Sequence, residues 1–323
     1  MTPRKTSVKR HLAYLSILCL LIATGTSSAD TLDGSRAGDS YGSALSVQTV
    51  QTQFGDNLSE LDAGYANASI QNGLLRLILT GNLESNFNKL NIFIDSQKGG
   101  QNTILADTNN GGVNPGTTND GIFDNYSGVG SGGSANGPGF TFDTGFNADY
   151  VLIARNGGST FNLNFLSIGN ALVAEETFDV FGGSTEGSNA SVGTSAIGVA
   201  FNNSNSAGIL GGTGAANAKE AQAVETGLEF WIPLAAIGNP GLGDTILISA
   251  HVNASNHDFL SNQSLGGFAA GQANLGGDGA GNFNNDVSLI DLNNFSGDQF
   301  FTVVPEPPAM EQVFSDGFEK TDP

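Results

Sequence analysis

The sequence predicts an all-β protein: a two-sheet antiparallel sandwich of the jelly-roll or immunoglobulin-like kind, with long Gly/Asn-rich loops and one short helix. Three observations predict this class. Apolar and polar residues alternate in several short runs, which is the period of a half-buried strand. Gly accounts for 46 of 323 residues and charged residues for only 13%, a composition that favours strands joined by tight turns. The 21 Phe residues, spread along the chain, favour a packed core over disorder.

The first 29 residues have the pattern of an export signal. Four basic residues precede the apolar run 12–22, and the small residues 27–29 provide a cleavage site. A membrane anchor is the alternative, but the apolar run is too short to span a bilayer comfortably. We therefore expect an exported protein, secreted or on the cell surface, whose mature chain begins at Asp30.

Charge and cysteine content narrow the function classes. Removing the four basic residues of the signal, which holds no acid, changes the formal net charge from −20 to −24. Such an acidic chain is a poor partner for nucleic acid or for an anionic membrane surface. Its single cysteine, Cys19, lies in the signal, so we expect neither disulfides nor thiol chemistry in the mature protein.

The first strands are predicted by two hairpin patterns. Residues 66–81 form two runs around Asn72-Gly73, a dipeptide suited to a type I′ turn. A largely apolar strand follows at 90–96, and residues 150–168 predict a second hairpin that turns at 156–158.

Later strands are less regular in sequence. We predict them at 194–201, 227–232, 244–252, 287–292 and 299–303, with a short Ala-rich helix within 215–226. Long Gly/Asn loops are predicted at 107–139, 182–193 and 266–285.

The stretch "ETGLEFWIPLAAIG", residues 225–238, combines two signals. Leu228, Phe230 and Ile232 alternate with Glu229 and Trp231, which predicts an inner and an outer strand face. The proline that follows stops the strand, and the next four residues predict one helical turn closed by a glycine.

Together these patterns predict one domain. We expect a β-sandwich over residues 30–303, followed by a disordered tail over 304–323.

Several stretches resemble known families. "LNIFIDS", "GLEFWIPLAAIG" and "DTILISAHVN" resemble carbohydrate-binding module family 9 and DOMON-like β-sandwiches. "HDFLSNQSLGG", "NLGGDGAGN" and "GDQFFTV" resemble a group of uncharacterised exported bacterial proteins of the PEP-CTERM sorting-domain type. "VVPEPPAM" resembles the start of that sorting signal, although the chain continues as "EQVFSDGFEKTDP", without the signal's membrane-spanning helix. The module resemblance implies a sandwich fold and carbohydrate binding.

Sugar binding would need exposed aromatic rings that stack on apolar sugar faces. The chain has one tryptophan, Trp231, on the outer face of its predicted strand, and Tyr126 lies in a polar loop. These two residues are the candidate ligand-binding residues. Core packing is the alternative interpretation for Trp231.

Calcium is the cofactor that the loops suggest. Hard cations prefer several oxygen ligands on turning loops, and two loops are rich in Asp and Asn. The candidate calcium ligands are Asp107, Asn109, Asp120, Asp124, Asp278, Asn282 and Asp286. Such residues are also what ordinary loops contain, and neither loop fits an EF-hand. His251 and His257 lack the further ligands that a zinc site needs.

The sequence therefore favours a secreted non-catalytic sandwich that binds extracellular polysaccharide, with calcium as a structural ion. The alternative is a structural cell-surface or biofilm-matrix protein without a specific small ligand. A secreted glycan-active enzyme is a more distant alternative, since no nucleophile motif is present and any pair of acids would be an arbitrary choice.

Overall fold

The computed structural model describes residues 29–55, 59–105, 124–128, 137–168, 174–182, 186–283 and 287–307. In chain order the strands of these residues are Ser46–Val47 (β1), Glu60–Ser69 (β2), Leu74–Asn82 (β3), Lys89–Asp95 (β4), Tyr150–Asn156 (β5), Thr160–Ser167 (β6), Ala174–Gly182 (β7), Gly187–Val192 (β8), Ile197–Phe201 (β9), Gly227–Pro233 (β10), Ile246–Asn253 (β11), Leu260–Leu265 (β12), Phe301–Val303 (β13) and Pro305–Glu306 (β14). The α-helices are Asp124–Ser127 (α1) and Ala218–Ala223 (α2), and 3₁₀ turns occur at Leu234–Ile237 and Leu292–Asn294.

The strands form two sheets, which confirms the predicted all-β sandwich. The first sheet has the order β1-β2-β3-β10-β9-β8, and β14 adds to β2 in parallel. The second has the order β12-β11-β4-β5-β6-β7, and β13 adds to β11. All other pairings between these strands are antiparallel.

The main core lies between the two sheets and follows from strand alternation. Leu75, Leu77 and Leu79 of β3 face inward, and β4 and β10 present their own alternate apolar residues to the same core. These side chains are at most 1% exposed. Burial of this apolar surface is the main favourable contribution to folding.

A second core covers the outer face of the second sheet. Phe93 on β4 contacts Tyr126, Phe140 and Phe142, which come from the long connection between β4 and β5. Residues of the segment between β12 and β13 complete this cluster. Both faces of the second sheet are thus buried along much of β4 and β5.

The unit at residues 225–238 has the predicted form. Leu228, Phe230 and Ile232 enter the main core, whereas Glu229 and Trp231 lie on the outer face of the first sheet. The 3₁₀ turn after Pro233 ends at Gly238, whose φ of 82° is the left-handed conformation that glycine adopts without strain.

Both predicted hairpins are confirmed, but the first turn is of another type. Four residues separate β2 from β3, and among them only Gly73, with φ of 64°, lies in the left-handed region. Asn72 therefore lacks the positive φ that a type I′ turn requires.

Three other sequence predictions are wrong. Residues 287–292 form turns and one isolated bridge instead of a strand, and the predicted loop 182–193 contains β8. The polar strand β12 was not predicted. The predicted disordered tail begins with β14 against β2, and the structure describes none of its residues beyond 307.

Candidate functional site

Trp231 lies on the outer face of the first sheet and is half-buried. Its indole Nε1 donates a hydrogen bond of 3.1 Å to Glu229 Oε1. The guanidinium of Arg76, on the neighbouring strand β3, lies 5.2 Å from the centre of the indole ring. This arginine also forms an ion pair with Asp30. The indole is therefore held by protein contacts and does not stand free as a platform for a sugar.

Glu229 anchors the N-terminal strap, which we define as residues 30–45. Its buried carboxylate accepts hydrogen bonds from the backbone N–H groups of Asp33 (3.0 Å) and Gly34 (2.9 Å). The hydroxyl of Tyr41 donates a third bond of 2.8 Å, in addition to the indole. Burial raises the pKa of Glu229, although these donors favour its charged form. The outer face of the first sheet is thus organised around attachment of the strap.

The sequence prediction for Tyr126 is wrong. This side chain is 0% exposed and sits on the short helix α1, inside the second core. Its hydroxyl accepts hydrogen bonds from the side-chain amides of Asn91 (3.1 Å) and Asn253 (3.2 Å). The rings of Phe93 and Phe140 pack against it with centroids at 5.5 and 5.1 Å. Tyr126 fills the core because its ring is apolar and its one polar atom is satisfied there.

His251 and His257 both contact the aromatic rings of the second core. His257 Nε2 is 2.8 Å from Asn91 Oδ1, and His251 Nε2 is 2.8 Å from Ser249 Oγ. Burial lowers the pKa of His251 to about 3, so this imidazole is neutral at physiological pH. The two rings have separate polar partners.

Most candidate calcium ligands fall outside the described residues. This applies to Asp107, Asn109, Asp120 and Asp286, and the structure describes only the backbone of Asp124, at the start of α1.

The structure does bring Asp278 and Asn282 together, but within one turn. Asp278 Oδ1 accepts bonds from the backbone N–H groups of Ala280 and Asn282, and Oδ2 accepts the Asn282 side-chain amide at 2.6 Å. Such local bonds are typical of an Asx turn. Nowhere among the described residues do three His, Cys, Asp or Glu side chains form a group that could hold a metal ion.

The structure reveals a different aromatic surface, which we call the phenylalanine strip: Phe54, Phe259 and Phe283. The ring centroids of Phe54 and Phe259 are 6.2 Å apart at an interplanar angle of 9°. Those of Phe259 and Phe283 are also 6.2 Å apart, at 27°. Phe283 is 62% exposed, and the other two are half-buried. Rings in van der Waals contact at this centroid distance are offset sideways by roughly 5 Å, and Phe54 also packs against the main core.

A polar network borders the phenylalanine strip. Asn262 Oδ1 accepts from the backbone N–H of Gln53 at 3.1 Å, and the side chain of Gln53 accepts from the N–H of Asn274 at 2.9 Å. The N–H of Asn262 donates in turn to Asn274 Oδ1 at 3.0 Å. These bonds connect the segments that carry Phe54 and Phe259.

A polar cleft of about 270 Å³ lies at the opposite end of β4 from the strip. Its walls are residues 95–98, which begin with the last residue of β4, and residues 243–245, just before β11. The side chains are polar or charged: Asp95, Ser96, Gln97, Lys98, Asp244 and Thr245.

Within the described part of the chain, no helix is long and apolar enough to cross a membrane. Comparison with protein-family models, with curated proteins and with solved structures finds no match to this chain.

Proposed function

We propose that this protein is a secreted, non-catalytic β-sandwich that binds an extracellular polysaccharide through the phenylalanine strip. The observation that carries the proposal is the series of ring contacts from Phe54 through Phe259 to Phe283, whose last ring is 62% exposed. An elongated row of apolar faces suits a chain of sugar rings better than a single small molecule. Large aromatic side chains left exposed in this way are typical of interaction surfaces.

Charge favours an uncharged polysaccharide. The chain has a formal net charge of −20. It would therefore repel an acidic glycan at separations shorter than the Debye length. Hydroxyl groups of a neutral glycan would instead find the amide side chains that border the strip. We therefore place neutral glycans, such as glucans and mannans, first among the ligands.

The experiment is a depletion assay with the chain from Asp30 onward, on insoluble neutral and acidic polysaccharides. Phe283→Ala and Phe259→Ala are each expected to weaken retention about 2- to 10-fold, the loss typical of one aromatic contact. Phe87→Ala is the matched control, since Phe87 is 46% exposed but packs on Gly157, across β4 from the strip. Equal retention of all three variants and the parent would contradict the assignment of the strip.

A structural role in the cell surface or matrix is the second candidate. It is favoured by Trp231 and Tyr126, since both candidate platforms are held by internal contacts. If the parent protein is retained on none of the polysaccharides, the binding proposal fails and the structural role becomes the better explanation.

A further inference from the structure

Two hairpin turns of the described residues contain the same reactive dipeptide, Asn-Gly. Asn72-Gly73 lies between β2 and β3, and Asn156-Gly157 lies where β5 ends and the chain turns into β6. In such a pair the backbone nitrogen of glycine can attack the side-chain carbonyl carbon of asparagine, because glycine has no side chain that shields its nitrogen or restricts its backbone. The attack requires the asparagine side chain to rotate toward that nitrogen. The two pairs differ in how firmly these groups are held.

The pair Asn156-Gly157 is held on every side. Asn156 is 0% exposed, its Nδ2 donates to the carbonyl of Leu83 at 2.8 Å, and its Oδ1 accepts from the N–H of Gly158 at 3.0 Å. The N–H of Gly157 donates to the carbonyl of Thr160 at 2.9 Å. Rotation of the Asn156 side chain would break both of its hydrogen bonds inside the protein, which is costly for a buried amide. The fold therefore protects this pair.

The pair Asn72-Gly73 is open by comparison. Asn72 is exposed, and within the described part of the chain its side-chain amide has no hydrogen-bond partner; only its backbone N–H is bonded, to Ser69 Oγ at 3.2 Å. The N–H of Gly73 donates to the carbonyl of Ile70 at 3.3 Å, which is longer than an ordinary hydrogen bond of this kind. A Cβ added at Gly73 would meet nothing within 4 Å, so no neighbour packs on that side of the glycine. The Asn72 side chain can therefore rotate without losing a contact.

We propose that Asn72 is a site of spontaneous modification, at which the folded protein converts this asparagine to isoaspartate and aspartate. The Gly73 nitrogen loses its proton to the solvent and forms a bond to Cγ of Asn72. The bond from Cγ to Nδ2 breaks, and the side-chain nitrogen takes up a proton and leaves as ammonia. Water then opens the cyclic imide. Opening at the main-chain carbonyl gives isoaspartate, opening at Cγ gives aspartate, and either product carries one new carboxylate.

The modification has a structural consequence because three segments meet at this turn. The carbonyl of Gly73 accepts from the backbone N–H of Leu234 at 2.8 Å, at the start of the 3₁₀ turn that follows β10. The N–H of Ile70 donates to the carbonyl of Glu306 in β14 at 3.3 Å. Isoaspartate adds one carbon atom to the main chain between residues 72 and 73, which displaces the Gly73 carbonyl from its donor. We therefore expect the isoaspartate form to be less stable than the original chain.

The test is incubation of the chain from Asp30 onward at pH 8 and 37 °C, followed by proteolysis at mildly acidic pH and mass spectrometry of the peptides. Asn156-Gly157 is the matched internal control. In the folded protein, conversion at Asn72 is expected to be at least about tenfold faster than at Asn156, the factor that the loss of one or two hydrogen bonds implies. In guanidinium chloride the two rates are expected to be similar, because the fold no longer holds either pair. Conversion at Asn72 that is no faster than at Asn156 in the folded protein would overturn the proposal.

A second measurement tests the structural consequence with the variant Asn72→Gln. Glutamine reacts far more slowly because its longer side chain would have to close a larger ring, and the exposed position accepts it without loss of a contact. After the same incubation, the Tm of the parent is expected to fall relative to fresh protein, and that of Asn72→Gln is expected to fall less. The asparagines of the other two Asn-Gly pairs, at positions 110 and 136, lie outside the described residues, and both proteins keep them. An equal fall in both proteins would contradict a role of the modified turn in stability.

Discussion

Removing the hydroxyl of Tyr41 tests whether the N-terminal strap is held by a charge-assisted bond. The hydroxyl donates to Glu229 Oε1 at 2.8 Å, with Tyr41 6% and Glu229 0% exposed. Burial and the neighbouring carboxylate raise the pKa of Tyr41, so the hydroxyl keeps its proton and acts as the donor. A hydrogen bond to a charged group contributes about 1.5–3 kcal/mol. Because the carboxylate keeps its three other donors, we expect Tyr41→Phe to lower the free energy of unfolding by about 1.5–2 kcal/mol.

Tyr65→Phe is the matched control. Tyr65 belongs to the same small cluster on the outer face of the first sheet, but its hydroxyl donates to a neutral acceptor, the carbonyl of Gln222, at 3.0 Å. We expect this variant to lose only about 0.5–1 kcal/mol. In thermal unfolding these two losses of stability correspond to a Tm that is lower than the parent's by about 3–6 °C for Tyr41→Phe and by about 1–3 °C for Tyr65→Phe.

The pH dependence of the stability difference between Tyr41→Phe and Tyr65→Phe tests this reasoning. Because burial raises the pKa of Glu229, this group contributes stability that is full at low pH and is lost as the pH rises through the folded-state pKa. The Tyr41 bond offsets part of that loss, since it favours the charged carboxylate. The gap between the two variants should therefore be large at pH 8 and shrink at pH 4. No gap at pH 8, or an equal gap at pH 4, would refute the reasoning.

Three further predictions concern other sites. Asp95→Asn should raise the Tm at pH 8 but not at pH 4, because burial raises the pKa of Asp95 to about 6 and its charge is unfavourable above that value. An equal effect at both pH values would contradict this. Gly266→Ala should lower the free energy of unfolding, measured in urea titrations, by at least about 2 kcal/mol more than Gly271→Ala does. Both glycines have a positive φ, but a Cβ at Gly266 would overlap nearby backbone atoms, whereas a Cβ at Gly271 would meet open space. Lys89→Met should stabilise the protein by about 1 kcal/mol at pH 7, because burial and the opposed Arg155 lower the pKa of Lys89 to about 8. This gain in stability should fade by pH 10, because Lys89 of the folded parent protein is neutral at that pH.

The strands that follow a simple alternation were predictable from sequence. Leu228, Phe230 and Ile232 point into the core because a strand places every second residue on the same face, and that rule needs no knowledge of partners. Strand β12 was not predictable in this way, because most of its buried residues are polar. Its residues Asn262 and Gln263 are 0% exposed yet polar, and hydrogen bonds formed only in the fold satisfy their amides.

The candidate site depends on residues that are distant in sequence. Phe54 and Phe259 meet only because the fold brings the segment after β1 against β12, and the sequence does not show that contact. Tyr126 was misassigned because its sequence neighbours are polar, although its spatial neighbours are aromatic. Composition thus predicted the class of fold, but strand pairing determines which side chains meet at the surface.

The strand order also constrains when the chain becomes foldable. β3 pairs with β10, and β4 pairs with β11, so each sheet is joined through a strand made more than 140 residues later. A partly synthesised chain that ends before Gly227 exposes both β3 and β4 as apolar edges without their partners. Such long-range pairing makes folding slow and leaves the incomplete chain prone to aggregation. The last third of the chain must therefore be synthesised before either sheet can form completely. Premature termination should yield insoluble fragments instead of a smaller folded domain.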